Sequence, residues 1–267
     1  MIKRILLLLI LILQFGFLKA GIVVLNGLSH TYKVENGKVY KGKIALENTN
    51  SHPQNVKIFL RDFSYKSDGT IYYSTPHTNE RTNIDWIKFN TNLVTLKGRE
   101  KTEIYYEITI PDTISHPGSY WSVIMVEPVE DIKPSDRAQG VNITSIVRYA
   151  IQIITDFDSE KAKPDLTFES VKIHKEEEGV KVAKIAIANK GNLYCKPSAS
   201  LEIYNRKSGD KIGTFTSLEM GLLPQSSKSF HIDISKIPPD KYNAVIIATD
   251  ENENAFAMNV ELEIKND

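Results

Sequence analysis

Residues 141–154, VNITSIVRYAIQII, decide the fold. Successive side chains of an extended strand point to opposite faces. Val141, Ile143, Ser145, Val147, Tyr149, Ile151 and Ile153 therefore share one side, and Asn142, Thr144, Ile146, Arg148, Ala150, Gln152 and Ile154 the other. The first side is apolar apart from Ser145 and the second is mixed, so the stretch reads as a half-buried β-strand. At about 3.3 Å per residue it spans roughly 46 Å, against about 17–20 Å for a usual strand. A strand of that length either bends out of its own sheet or offers backbone pairing to a second chain.

Before this stretch, from Gly21 to Thr155, short alternating runs are broken by turn signals every ten or so residues, the pattern of an all-β domain. The clearest run is 102–110, with Ile104, Tyr106, Ile108 and Ile110 inward and Glu103, Tyr105, Glu107 and Thr109 outward. Residues 120–126 form a hydrophobic run suited to an inner strand. Asn36-Gly37 predicts a hairpin turn, because both positions tolerate positive φ. Asp62 falls on an inward side and reads as a hydrogen-bonded carboxylate at a strand end. Trp86 and Trp121 read as core fillers.

After it, residues 156–164, DFDSEKAKP, are charged, lack an apolar face and end in proline, so they read as a linker. Seven further strands are predicted between Leu166 and Ile264, the number and spacing of an immunoglobulin-like sandwich. The fold class is all-β: two tandem immunoglobulin-like β-sandwiches, at 21–155 and 165–267, after an N-terminal signal peptide at 1–20.

That signal peptide is read from Lys3 and Arg4, an apolar run from Ile5 through Leu18, and Ala20 as the small residue at the cut. The run is shorter than the roughly 20 residues a spanning helix needs. No cysteine follows it, which excludes a lipoprotein anchor. Export to the periplasm or cell surface follows, with no stable membrane insertion after cleavage. The 267 residues carry 33 basic and 33 acidic side chains, so no nucleic-acid footprint is present. Cys195 is the single cysteine; an exported chain without an internal disulfide must be stable by packing alone.

No catalytic constellation emerges. The histidines are scattered without metal spacing, His30 among them reading as a solvated residue at a strand end. No nucleophile elbow, phosphate loop or zinc-binding helix motif occurs. The reading is a non-enzymatic protein without a cofactor or metal.

The first domain resembles the periplasmic chaperones of pilus (fimbrial) assembly. The resemblance is carried by Ile44-Ala45-Leu46-Glu47-Asn48 followed by Pro53, Pro76 and Trp86-Ile87, and Gly118-Ser119-Tyr120-Trp121-Ser122 followed by Glu127-Pro128. A polar loop and a long alternating final strand with one basic residue, Arg148, complete it. The resemblance implies that this strand is lent to an incomplete pilus or surface-protein subunit, through Ile143, Ser145, Val147 and Tyr149. It further implies a basic pair between the domains that anchors the subunit's terminal carboxylate. Arg148 takes one basic role. The first strand lacks the family's arginine, and Lys33 is the nearest candidate for the other. The layout is also similar to tandem sandwich modules of cell-surface binding proteins, which implies an adhesive or structural envelope module binding protein or glycan through its loops.

Overall fold

The computed structural model describes residues 21–129, 146–176 and 179–265. The signal peptide at 1–20, the loop at 130–140 and residues 141–145, with Ile143 and Ser145, lie outside the described residues.

Among the described residues the chain forms two sandwiches of strands. In the front one, β1 (Ile22–Val24), β3 (Val39–Asn48), β8 (Lys101–Thr109) and β6 (Ile87–Phe89) make one sheet in the order β1-β3-β8-β6. The facing sheet runs β2 (Ser29–Val34), β10 (Tyr149–Phe157), β9 (Gly118–Val129), β4 (Gln54–Tyr65) and β5 (Ile71–Ser74), with β7 (Leu93–Leu96) also paired to β4. Ile44, Leu46, Ile104 and Ile108 of the first sheet close on Ile58, Ile124, Val126, Ile151 and Ile153 of the second. The inward set expected for 102–110 is thus in the core; Tyr106 is 1 % exposed while Tyr105 is 54 % exposed.

The second sheet buries its other face too. Phe63, Tyr65, Trp121, Val123, Met125 and Ile154 belong to a second apolar cluster that continues through the core of the rear sandwich. A strand covered on both faces carries a near-continuous hydrophobic run, as 120–126 does apart from Ser122, whose buried hydroxyl donates to Asn83 Oδ1 at 2.6 Å. The rear sandwich pairs β11 (Leu166–Lys175), β12 (Lys181–Asn189) and β15 (Ser227–Asp233) in one sheet. The other holds β14 (Lys211–Thr216), β13 (Ser198–Asn205), β16 (Asp240–Thr249) and β17 (Ala255–Ile264) in that order.

Three sequence expectations change. Asn36-Gly37 is a turn with Gly37 at φ 68°, yet β2 and β3 belong to different sheets. The turn carries the chain across the sandwich instead of closing a hairpin, and Gly37 N–H donates to the Pro111 carbonyl at 3.1 Å. The strand sought at 141–154 begins at Tyr149, with Ile146–Arg148 outside any strand, and continues through Asp156 and Phe157. These two residues, read above as the start of a linker, are held in the sheet by Ser119 and Gly118 of β9 and by Lys33 and Val34 of β2 opposite them. His30 is half-buried, not solvated. Its Nδ1 lies 2.7 Å from the Tyr106 hydroxyl, which also contacts the Tyr32 hydroxyl at 2.8 Å. Gly42 makes this cluster possible, since a Cβ there would overlap the Tyr106 ring.

Asp62 has the place expected of it. It is 1 % exposed and accepts from Thr78 N–H at 2.6 Å, Asn79 N–H at 3.0 Å and the Thr82 hydroxyl at 2.6 Å. The carboxylate ties the irregular segment after β5 to the end of β4. Trp121 is buried and donates its indole N–H to the Phe63 carbonyl at 2.7 Å. Trp86 is half-buried against Tyr120.

Candidate functional site

The site begins where β1 gives way to β2. Asn26 fixes that crossing: its Oδ1 accepts from Ala45 N–H at 2.9 Å and its Nδ2 donates to the Lys43 carbonyl at 2.7 Å. The chain before Asn26 is thereby held to β3, and it bonds β10 only from Leu28, whose carbonyl accepts from Gln152 N–H at 2.9 Å. The parallel pairing starts at Ser29↔Gln152, whereas the antiparallel pairing to β9 starts three residues earlier, at Tyr149↔Val126. Tyr149, Ala150 and Ile151 are therefore paired on the β9 side and have no β2 residue opposite them. Among the described residues no strand pairs with this flank of β10, and Leu28, Ile146 and Val147, close in sequence to β2 and β10, are exposed apolar residues. An unpaired edge beside exposed apolar groups is a template for strand addition.

Arg148 lies at this end of β10. Its Nε is 3.0 Å from Glu127 Oε2, an ion pair between an exposed arginine and a half-buried glutamate. Lys33 pairs with Asp156 at the opposite end. Eight residues of strand separate the two levels, about 26 Å, so the structure does not bring Arg148 and Lys33 together. Of the four residues expected to be lent, Val147 is about half exposed and Tyr149 half-buried; Ile143 and Ser145 lie outside the described residues.

Lys33 instead borders a notch of about 600 Å³ between the sandwiches, with Asp156, Lys163, Tyr194, Lys196 and Glu251. The sequence builds this seam from backbone and small side chains. Ser119 N–H donates to the Asn192 carbonyl at 2.8 Å. The Ser119 hydroxyl accepts from Tyr194 N–H at 2.7 Å and donates to Asp156 Oδ1 at 2.5 Å. Gly118, at φ 118°, lies so close to Asn192 that a Cβ would overlap its carbonyl. Burial raises the Asp156 carboxyl above its ordinary value, opposed by the Ser119 hydrogen bond and the Lys33 charge. Burial likewise pushes the Tyr194 hydroxyl up to about 12.

A second basic group lines the opening on the other side of the seam, which sequence reading missed. Lys228 donates to the Gly221 carbonyl at 2.6 Å and lies over the Tyr65 ring at 4.7 Å. Burial lowers its pKa. The Tyr65 hydroxyl donates to the same carbonyl at 3.2 Å and accepts from Leu223 N–H at 2.9 Å. Lys184 and His231 share this opening of about 670 Å³; both face Glu176, at 3.3 and 3.8 Å. Nothing in the local sequence around Lys228 marks it, because its setting is made by a tyrosine more than 160 positions away.

Cys195 is 1 % exposed, and burial raises its thiol well above the ordinary range; it packs as an apolar residue. Among the described residues no cluster of three His, Cys, Asp or Glu side chains is placed to hold a metal ion, and no helix is long and apolar enough to cross a membrane.

The fold and this seam define an all-β protein of two tandem immunoglobulin-like sandwiches joined across a shared apolar cluster. No protein-family model matches the chain, and no curated protein matches it. Solved structures similar to it include the class 5 fimbriae chaperone CfaA, at 13 % identity and TM-score 0.47, covering 89 % of this chain and 98 % of that one. The chaperone–tip adhesion subunit pre-assembly complex of the archaic chaperone-usher Csu pili of Acinetobacter baumannii matches at 16 % identity and TM-score 0.45, over 89 % of this chain and 97 % of that one. The E. coli chaperone DraB matches at 12 % identity and TM-score 0.42, over 91 % and 96 %.

Proposed function

We propose that the protein is an exported, non-enzymatic chaperone-like factor of the periplasm that assists assembly of pilus or surface-protein subunits by β-strand pairing. The observation that supports this most is the open flank of β10 at Tyr149–Ile151, with exposed Ile146, Val147 and Leu28 close in sequence to the two strands. In this reading Ile143, Ser145, Val147 and Tyr149 are the residues lent to a subunit whose own sandwich lacks a strand. Main-chain hydrogen bonds supply the affinity and the alternating side chains the register.

Lys33, on the notch between the sandwiches, receives the subunit's terminal carboxylate by a charge-assisted hydrogen bond. Arg148 does not share that task; paired with Glu127, it keeps the leading end of the lent edge charged, which restrains self-association. The two sandwiches divide within 156–164 and act together, one lending the strand and both framing the notch.

The test is copurification from the native host. Val147→Asp should remove the strand-deficient subunit that travels with the exported protein while leaving thermal unfolding unchanged. Lys33→Glu should weaken its capture at least about tenfold. Undiminished copurification with both variants overturns the proposal.

A further inference from the structure

β15 is an edge strand: among the described residues it pairs with β12 and with no strand on its other side. The two ends of that ladder fix which backbone groups face the free side. Ile234 N–H donates to the Lys181 carbonyl at 2.8 Å, and Asn189 N–H donates to the Ser226 carbonyl at 3.0 Å. The register between them, from Val182↔Asp233 to Ala188↔Ser227, runs without a bulge. Opposed residues of an antiparallel pair alternate between bonded and non-bonded. Lys228, Phe230 and Ile232 therefore turn their N–H and C=O groups to β12, while Ser229 and His231 turn theirs to the free side. Both of these line the opening of about 670 Å³ that also borders Lys66 and Asp68 of the turn between β4 and β5. Ser67 N–H donates to the Ser227 hydroxyl at 3.0 Å, which sets that turn at the start of β15.

This stretch of edge is open to a partner. His231 is exposed and Ser229 half-buried, and β15 has neither a proline nor a bulge, two of the devices that keep edges from pairing. The charges around it say which partner fits. Lys66 acts on Asp68, and Lys184 lies 3.3 Å from Glu176, so each has a carboxylate to offset it. Lys228, on the same opening, has none among the described residues. Its ammonium donates to the Gly221 carbonyl at 2.6 Å and lies over the Tyr65 ring, which leaves two N–H donors free. Burial alone lowers its pKa, so no neighbouring charge compensates its desolvation. A second copy of β15 added to this edge would bring two uncompensated lysines into one interface, which is unfavourable. An acidic segment would supply the missing opposite charge.

We propose that the free edge of β15 at Ser229 and His231 takes up an extended acidic peptide segment of a partner protein as an added strand. The backbone groups of Ser229 and His231 pair with the segment, and Lys228 receives one of its carboxylates. Main-chain bonds supply the affinity and the charge selects the segment. The proposal is independent of the role given to β10 and of the notch at Lys33.

The experiment follows the backbone amide resonances of the folded, signal-free chain during titration with a blocked heptapeptide of alternating threonine and valine in which two threonines are replaced by glutamate. Its glutamine and lysine counterparts are the controls. The expected result is a saturable shift of the Ser229 and His231 amides with the glutamate peptide, and slower hydrogen exchange at both. The glutamine peptide should bind at least about tenfold more weakly, the loss of a charged hydrogen bond, and the lysine peptide weaker still. Lys228→Gln should erase the preference for glutamate over glutamine. Ser229→Pro removes an N–H that β12 does not use, a place where an edge strand tolerates proline; it should keep the circular dichroism of the parent and abolish binding. Ser229 and His231 amides unmoved by the glutamate peptide, controls that bind as tightly, or a preference for glutamate that survives Lys228→Gln would each overturn the proposal. So would full binding by a folded Ser229→Pro variant. Shifts of the same two amides on raising the protein concentration alone would assign the edge to a second copy instead and equally overturn it.

Discussion

Asn26 grips Ala45 across the edge of the front sandwich, accepting its N–H at 2.9 Å, and so decides where the chain stops serving β3 and starts serving β10. With the second bond from Asn26 to the Lys43 carbonyl, the carboxamide replaces the ladder that the chain abandons at this crossing. The open flank at Tyr149–Ile151 is the geometric consequence.

Asn26→Ala should therefore cost stability although the side chain is exposed. Loss of two side-chain hydrogen bonds at a solvent-facing position predicts about 1–2 kcal/mol. Urea unfolding should show a lower midpoint with an unchanged slope, and the Ala45 amide should exchange faster. An unchanged midpoint would mean the crossing is held by other contacts.

Gly118→Ala tests the seam. The position combines φ 118° with contact against the Asn192 carbonyl, so strain and steric overlap act together. A loss of at least about 3 kcal/mol is expected, with two separate thermal transitions as the sandwiches uncouple. Gly69→Ala is the control: φ is 88° but nothing lies within 4 Å of the added carbon. There the cost should be about 1 kcal/mol.

Asp156 makes stability depend on pH in the direction opposite to a salt-bridged carboxylate. Its folded pKa lies above the unfolded value because burial disfavours the charge. The folded state therefore prefers the protonated form. The contribution is fully present below the unfolded pKa, near 3.8, and is lost as pH rises through the folded value. Lys33 and Glu251 also face this carboxyl with opposite effects, and Ser119 hydrogen-bonds to it in either form. Asp156→Asn should raise the melting temperature at neutral pH by roughly 2–4 °C, and the gain should vanish on acidification. A variant less stable than the parent at neutral pH would contradict this.

Tyr65→Phe leaves the buried Leu223 N–H without its acceptor. The expected loss is about 1–3 kcal/mol. Fluorescence and circular dichroism unfolding should both report it, because Tyr65 belongs to the apolar cluster spanning the two sandwiches.

Much of this was legible in the sequence where the signal is local. Alternation at 102–110 marks β8, and the hydrophobic run at 120–126 marks an inner strand. Seven strands are read and found between Leu166 and Ile264. Pairing is non-local and less legible. Asn36-Gly37 has the chemistry of a hairpin turn, but β2 pairs with β10 and β3 with β1 and β8, not with each other. Alternation at 141–148 continues into β10 without a break, so nothing in the sequence shows where pairing with β2 begins. Lys33 lies on β2 and Arg148 just before β10, and only the register Lys33↔Asp156 reveals that they sit at opposite ends of that strand. Lys228 acquires its setting from Tyr65 of the other sandwich, which no local pattern records.

The open flank of β10 is tested most directly by amide hydrogen exchange in the folded, signal-free chain. Gln152 N–H donates toward β2, to the Leu28 carbonyl at 2.9 Å. Strand alternation turns the Ala150 N–H the same way, to where no β2 residue stands. The Ile151 and Ile153 amides turn toward β9. The account predicts that Ala150 exchanges at least about a hundredfold faster than Gln152, Ile151 and Ile153. An Ala150 amide as protected as that of Gln152 would show the flank closed and contradict it.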